Sequence, residues 1–192
     1  MKVSTHIKFC IGAIAALCAM ALAGSARSST LERMSLAKLS HTAQVIVRAR
    51  CVANATRWED GEIWTVTEFE SKENWKGAAP YRFSVRLLGG TVGNITSNVE
   101  GVPRFQSGED LVLFLETTKY GDYSVESWMQ GTFRVALDRR TSSALITQDT
   151  AAFATFDPAT KKFDATGIRG VALEDFHRRV SEALAQSAGA GR

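Results

Sequence analysis

Once an apolar N-terminal segment is set apart, the groups best suited to nucleophilic or metal chemistry are one thiol and two imidazoles. His41 and His177 are far apart in the chain, and neither has a second His or Cys at metal-ligand spacing. Cys51 alternates with Val45 and Val47, which predicts an inward thiol, whereas a reactive thiol needs an exposed electropositive setting. We therefore predict that all three residues are structural and that the protein is not an enzyme. Catalysis by Cys51 or a histidine is the alternative.

Other catalytic patterns are weak in this sequence. It contains no Gly-x-Ser-x-Gly elbow, and no pair of carboxylates stands out. Leu88-Gly89-Gly90-Thr91-Val92-Gly93 shares its glycines with a phosphate-binding loop but lacks the following Gly-Lys-Ser/Thr and a helix. This stretch predicts a flexible glycine loop, and the sequence indicates no cofactor and no metal.

Two surface patterns leave alternatives open. Asn54-Ala55-Thr56 and Asn94-Ile95-Thr96 match the glycosylation sequon, which matters only in a host that glycosylates secreted proteins. A stripe of arginines on outward strand positions predicts a solvated face balanced by Glu68 and Glu70, with an anion-binding surface as the alternative. The stripe consists of Arg48, Arg50, Arg82 and Arg86.

The longest interval without a strand pattern runs from Gly89 to Gly108, and we call it the 89–108 segment. A structureless connection of this length is unusual and often functional. Pro103 stiffens it and Phe105 anchors it just before an apolar strand, so the alternative is a well-packed entry to that strand. The candidate partner-binding residues are Asn94, Pro103, Arg104 and Phe105.

Alternating patterns predict the elements that position these residues. Ser35 predicts the cap of a short helix, and Glu59-Asp60-Gly61 predicts a hairpin turn. Apolar residues recur at three- and four-residue steps from Leu173 to Leu184, which predicts an amphipathic helix with Glu174 and Arg178 as an i,i+4 pair. Strand patterns cover residues 45–51, 63–69, 81–87, 111–115, 123–128, 133–135 and 143–148. These short strands predict a mainly β chain, folded as a small barrel or sandwich.

The N-terminal segment has the order of a cleavable signal peptide. Lys2 and Lys8 precede an apolar run, and two small-x-small sites predict cleavage after Ala23 or Ala26. The run is shorter than the roughly 20 residues that a membrane span needs. A lipoprotein is disfavoured because the residues before Cys10 and Cys18 are bulky. An uncleaved anchor is the alternative, and the predicted location is secreted or periplasmic.

Removal of residues 1–26 changes the charge and the cysteine content. Two of the 23 Lys and Arg residues are lost and no Asp or Glu is, which leaves 21 against 20. This balance predicts no nucleic-acid partner and no stable membrane association. Only Cys51 of the three cysteines remains, so the mature chain has no internal disulfide and depends on its own core. We predict a monomer with one domain at residues 27–186 and a flexible tail at 187–192.

Three stretches together carry a family resemblance. They are residues 43–52 (AQVIVRARCV), Trp75-Lys76-Gly77, and Phe105-Gln106-Ser107-Gly108-Glu109 before the strand at 111–115. With these stretches the chain resembles a group of exported bacterial proteins. More distantly, it is similar to the netrin-like modules of tissue inhibitors of metalloproteinases. The resemblance covers about residues 43–136.

The resemblance implies an OB-type barrel of five strands with helices beside it, and binding to a protein such as an extracellular metallopeptidase. The inhibitors chelate zinc with an N-terminal cysteine, whereas the predicted cleavages leave Gly24 or Arg27 first. No inhibitory residue is therefore carried over.

Residues and resemblance together predict an OB-like barrel of five to seven antiparallel strands with a short N-terminal and an amphipathic C-terminal helix. The predicted function is an exported binding module that contacts a secreted protein through the 89–108 segment. A metallopeptidase inhibitor or regulator is the alternative.

Overall fold

The computed structural model describes residues 32–152, 155–158, 160–164 and 167–190. The predicted signal peptide and both cleavage sites lie outside the described residues. The helices are α1 (Leu36–Thr42) and α2 (Leu173–Ala190), and single 3₁₀ turns span Trp128–Gly131 and Asp149–Ala152. The strands are β1 (Val45–Glu59), β2 (Glu62–Lys76), β3 (Arg82–Leu88), β4 (Gly90–Val92), β5 (Ile95–Ser97), β6 (Asp110–Thr117), β7 (Tyr123–Val125), β8 (Thr132–Asp138), β9 (Ser143–Gln148), β10 (Thr155–Asp157), β11 (Lys162–Asp164) and β12 (Val171–Ala172).

Five of these strands close into a ring. Their order is β1-β2-β3-β7-β6, and β6 pairs again with β1. The chain is therefore mainly β with an OB-like barrel, as predicted. One pair corrects the expectation of antiparallel strands throughout, because β3 and β7 run parallel through Val85 and Tyr123. The reason is geometric: strand direction cannot alternate all the way around a closed ring with an odd number of strands.

Strand β6 separates two hydrophobic cores. Leu111, Leu113 and Leu115 pack inside the ring, whereas Val112 and Phe114 pack on the opposite side. That second core includes residues of β8, which extends the sheet from β6 towards β9 and β12, and is covered by both helices. Burial of both faces accounts for the continuous apolar sequence of this strand, and the prediction is confirmed.

The first two strands form a hairpin that is longer than the alternating pattern predicts. Asp60 and Gly61 both have positive φ, of 51° and 82°, as in a two-residue type I′ turn. The strand predicted to end at Cys51 continues to Glu59, and β2 pairs with it throughout. Beyond Cys51 most side chains of β1 are exposed, so this half of the strand shows no alternation of apolar and polar residues.

Both predicted helices are present. Ser35 caps α1 by accepting from the Lys38 N–H, and Lys76 of β2 donates to three carbonyls at the other end of the helix. In α2, Arg178 pairs with Asp175 at 2.8 Å and Glu182 at 3.3 Å in place of the predicted Glu174, since these carboxylates lie within reach on either side of it.

At the C-terminus, α2 continues through Ala190 and so includes part of the predicted tail, residues 187–192. None of the described helices combines the length and the apolar character that crossing a membrane requires.

Candidate functional site

The 89–108 segment is not structureless, which corrects the prediction. Its first half forms a hairpin in which β4 pairs with β5 from Gly90↔Ser97 to Val92↔Ile95. These strands are short and composed of Gly, Thr, Val, Ile and Ser, so they show no extended alternation. Asn94 is exposed in the turn that joins them. It is the only one of the four candidate residues that lies in this hairpin.

The second half of the 89–108 segment packs into the barrel. Val102 and Phe105 belong to the ring core, and the Phe105 ring contacts the edge of Phe69 at a centroid distance of 5.2 Å. Pro103 is also buried. Two of the candidate contact residues, Pro103 and Phe105, are therefore buried against the barrel and contribute little to the surface of the segment. This placement matches the alternative of a well-packed entry to β6.

Arg104 holds the root of the hairpin. Its Nη1 donates to the Leu88 carbonyl at 3.1 Å, and no ion pair links it to a carboxylate of the described residues. Burial lowers the pKa of its guanidinium. A Cβ at Gly89 would lie 2.5 Å from Arg104 Nη2 and 2.6 Å from the Ser97 carbonyl oxygen, so glycine is needed for this close approach.

The β4–β5 hairpin lies against the β1–β2 hairpin. Gly89 donates its N–H to the Ile63 carbonyl at 2.6 Å, and Thr65 Oγ1 donates to the Gly89 carbonyl at 2.7 Å. Gly90 has a φ of 138°, and a Cβ there would collide with Thr65 Oγ1 and lie 2.5 Å from Thr56 Cγ2. The two glycines thus serve close backbone packing, and the stretch predicted to be a flexible glycine loop contains strand β4.

A cleft of about 590 Å³ opens beside this segment, between residues 98–104 and a wall formed by Met129, Arg134 of β8 and Asp149. Arg134 in its wall donates from Nε to Asp149 at 2.6 Å and from Nη1 to Glu109 at 2.5 Å. Its Nη2 also donates to the Arg104 carbonyl at 2.8 Å. The two carboxylates balance the positive charge of Arg134. The bond to the Arg104 carbonyl links the 89–108 segment to β8.

The Phe105–Glu109 stretch of the resemblance has a structural role. Ser107 Oγ donates to the Val52 carbonyl at 2.7 Å, and Gly108 donates its N–H to the Cys51 carbonyl at 2.8 Å. Cys51 in turn donates its N–H to the Glu109 carbonyl at 2.9 Å. These bonds continue the β1–β6 ladder past the point where β6 begins.

The thiol and the two imidazoles lie on different elements. Cys51 is 1% exposed inside the ring, and burial raises the pKa of its thiol, as does the nearby Glu109 carboxylate. His41 is exposed at the end of α1, and His177 of α2 stacks on Trp75 at 4.3 Å. No cluster of metal-ligating side chains occurs among the residues described. The predicted inward orientation of Cys51 is confirmed.

Three of the four arginines in the stripe form ion pairs. Arg82 pairs with Glu70 at 2.8 Å, whereas Arg48 pairs with Asp110 at 2.7 Å, an acid that the sequence pattern did not identify. Burial opposes ionisation of Asp110, but hydrogen bonds from Arg48 and Lys72 outweigh it and lower its pKa. This part of the stripe fits a charge-balanced face.

Arg86 forms a cluster that sequence reasoning missed. It is 8% exposed and pairs with Glu59 at 2.7 Å and Asp122 at 2.9 Å. Its guanidinium also lies 4.4 Å from the ring centroid of Tyr120 and 5.7 Å from that of Trp64. These partners lie in two stretches of the chain, residues 59–64 and 120–122, that are both distant from Arg86, so no local spacing could reveal them.

The asparagines of the two sequons differ in their hydrogen bonding. Asn54 Nδ2 donates to the Phe105 carbonyl at 3.0 Å, and Asn54 Oδ1 accepts from Thr67 at 2.6 Å. Asn94 is exposed at the hairpin turn. Both asparagines are exposed, and they differ in that the amide of Asn54 is held by these two bonds.

Among the described residues, the β4–β5 hairpin has an exposed tip, and Val102 and Phe105 of the same segment are buried in the ring core. Most arginines of the stripe form ion pairs within the chain, and Cys51, His41 and His177 lie on different elements. No protein-family model matches the chain, and searches of curated proteins and of solved structures find no match either.

Proposed function

We propose that the protein is an exported, non-enzymatic binding module that contacts a secreted protein through the β4–β5 hairpin. The observation that carries the proposal is that the hairpin has a fixed root and an exposed tip. Its root is fixed by Arg104 and by Gly90, while Asn94 and Ile95 at its tip face solvent. Ile95 is 54% exposed. Binding residues are commonly found on loops that a rigid scaffold positions.

Rigid presentation lowers the entropy lost on binding, because the hairpin does not have to be ordered by its partner. The support comes from Val102 and Phe105, which anchor the second half of the 89–108 segment in the ring core. An apolar tip residue such as Ile95 then adds contact area at the centre of an interface. The proposed contact surface is thus the first half of the segment.

Pull-down from the native secretome tests this proposal. The bait is the mature chain with Ile95→Ser, or with residues 91–96 replaced by Asn-Gly, which retains the Gly90↔Ser97 pair. Leu137→Ser is the matched control, because Leu137 is 66% exposed at the far end of β8. We expect a partner recovered by the wild-type chain and by the control to be lost with both hairpin variants. Equal recovery with all four baits contradicts the proposal.

A regulator or inhibitor of an extracellular metallopeptidase is the second candidate. Its support is the five-stranded ring, the architecture that the sequence resemblance implies. Inhibition would have to use groups other than an N-terminal cysteine, because cleavage after Ala23 or Ala26 leaves Gly24 or Arg27 first. Assay of secreted metallopeptidases with the mature protein at micromolar concentration checks this candidate. Unchanged peptidase activity together with no detectable binding counts against it.

A further inference from the structure

One edge of the β1–β2 hairpin pairs with no other described strand. β1 pairs with β6 from Val45 to Arg50, whereas its pairing with β2 continues to Glu59. The ladder on the β6 side ends at Cys51, whose N–H and carbonyl bond Glu109 and Gly108. The backbone of residues 53–59 therefore has a free edge, which we call the β1 edge.

The two-residue turn determines which backbone groups face outward. Glu59 and Glu62 flank the turn and form a hydrogen-bonded pair. Along β1 the backbone N–H and carbonyl groups of successive residues therefore point alternately towards β2 and away from it. The N–H and carbonyl groups of Asn54, Thr56 and Trp58 consequently point away from β2. None of the described residues donates to or accepts from these backbone groups.

The β1 edge lacks two of the residue types that commonly prevent strand pairing. Residues 53–59 contain no Pro and no Lys, and Ala53 and Ala55 are small. Trp58 is 47% exposed near the end of the hairpin. An edge of this kind is a template for another extended strand, and strand addition is a recurrent form of protein recognition.

We propose that the β1 edge pairs, antiparallel and two-fold symmetric, with the β1 edge of a second copy of this chain, centred on Trp58. Opposite charges favour this register over one centred on Arg57. A pair centred on Arg57 would place like charges opposite each other, which is unfavourable. A pair centred on Trp58 places Arg57 opposite Glu59 of the second copy, twice by symmetry, and brings the two exposed indoles together.

This centre also satisfies the two outward backbone groups of Trp58. Trp58 faces its own symmetry mate as a hydrogen-bonded pair, so each copy donates one N–H and accepts one at the centre. The same carboxylate, Glu59, already bonds Arg57 and Arg86 within its own chain, so it is held in place for the arginine of the second copy. The inference replaces the expected monomer with a dimer, and it does not depend on the partner of the β4–β5 hairpin.

Charge reversal tests the self-association. We expect sedimentation equilibrium of the mature wild-type protein to show a monomer–dimer equilibrium. Arg57→Glu should weaken it by about tenfold or more, because two like-charge contacts replace two opposite-charge ones. Arg82→Glu is the matched control, since Arg82 also forms an exposed pair with a glutamate, Glu70, but lies on β3. Monomer at every concentration, or equal weakening by both variants, overturns the proposal.

Disulfide trapping tests the register and does not rely on affinity. Directly opposed residues of a hydrogen-bonded pair have Cα atoms about 5.5 Å apart, within the range that a disulfide spans. Trp58→Cys should therefore cross-link rapidly under mild oxidation, with Cys51 buried and unreactive. Ile95→Cys is the control for random collision, because Ile95 is exposed to a similar extent. Slower cross-linking at 58 than at Thr56→Cys or Arg57→Cys, or no faster than at 95, overturns the proposed pairing.

Discussion

Arg86 is a buried charge that joins three parts of the barrel. Its Nη1 donates to Glu59 at the turn end of β1, and its Nε donates to Asp122 in the loop before β7. Tyr120 of that loop contacts the guanidinium as a cation–π partner. A cation that is 8% exposed depends on these partners, because its desolvation is unfavourable unless they compensate it. Arg86 is therefore expected to stabilise the ring.

We predict that Arg86→Met lowers the free energy of unfolding by about 3 kcal/mol, because it leaves two carboxylates without this partner. Arg86→Lys should recover only part of the loss, since an ammonium group does not reproduce the planar guanidinium fork. Arg82→Met is the control, because Arg82 pairs with Glu70 at an exposed site and its loss should lower the free energy of unfolding far less. Urea denaturation measures all three variants. Equal losses for Arg86→Met and Arg82→Met would contradict the prediction.

A second residue-scale prediction concerns Asp110, whose pKa in the folded protein lies below its usual value. A lowered folded-state pKa contributes stability above the unfolded-state pKa, and this stability is lost as pH falls through the folded-state value. We therefore expect Asp110→Asn to lower stability at pH 7 and the difference from wild type to shrink below about pH 4. Urea denaturation from pH 7 to pH 2.5 measures this difference. Asp60→Asn, in the exposed turn, is the control, and a difference for Asp110→Asn that stays constant with pH would refute the assignment.

At the scale of elements, the position of the β4–β5 hairpin depends on close contact with the β1–β2 hairpin. Gly90 lies where a side chain would meet Thr65 and Thr56, and its φ of 138° disfavours other residues. Gly93, in the turn of the same hairpin, also has a positive φ but open space where its Cβ would lie. Substitution of alanine at each position therefore distinguishes a collision with Thr65 and Thr56 from the cost of a positive φ alone.

We predict that Gly90→Ala displaces the hairpin and lowers protection of the β4 and β5 amides in hydrogen exchange, while the ring strands stay protected. Gly93→Ala is the matched control, because it has the strained φ without the collision. It should cost about 1 kcal/mol and leave the root of the hairpin in place. Identical exchange profiles for the two variants would show that packing at Gly90 does not position the hairpin.

At the scale of the whole molecule, two cores share the same strands. Val47 of β1 and Leu113 of β6 face the ring core, whereas Ile46 and Phe114 face the core beneath α2. Phe176 of α2 packs on Phe133 at a centroid distance of 4.7 Å. Because both cores depend on the β1–β6 pairing, closure of the ring and docking of the helix stabilise each other.

Export is a prediction at this scale that the described residues do not test. Expressed in full with a C-terminal tag in a bacterial host with two membranes, the chain should appear in the periplasm or the medium. N-terminal sequencing should begin at Gly24 or Arg27, because small residues precede both sites. Changing Ala23 and Ala26 together to Leu should block cleavage. A wild-type protein that stays in the membrane fraction with its first residues intact would instead support the uncleaved anchor.

The local features of the fold could be predicted from neighbouring residues. Ser35 as a helix cap, Asp60-Gly61 as a turn and Cys51 on an inner strand face depend on contacts within a few residues. The far half of β1 and the strands β4 and β5 were missed, because exposed or very short strands bury no alternating face. For the candidate site, the sequence identified the 89–108 segment but not the burial of Pro103 and Phe105 within it.

Patterns among neighbouring residues predict both helices, at least part of each ring strand and the apolar faces of those strands, because period and turn chemistry are local properties. The tertiary structure, in contrast, determines which strands are neighbours. It closed the ring through β1 and β6, made β3 and β7 parallel, and left the β1 edge without a partner. It also assigned Glu59 and Asp122 to Arg86. These contacts join residues far apart in the chain, and periodicity holds no information about which distant residues a closed barrel brings together.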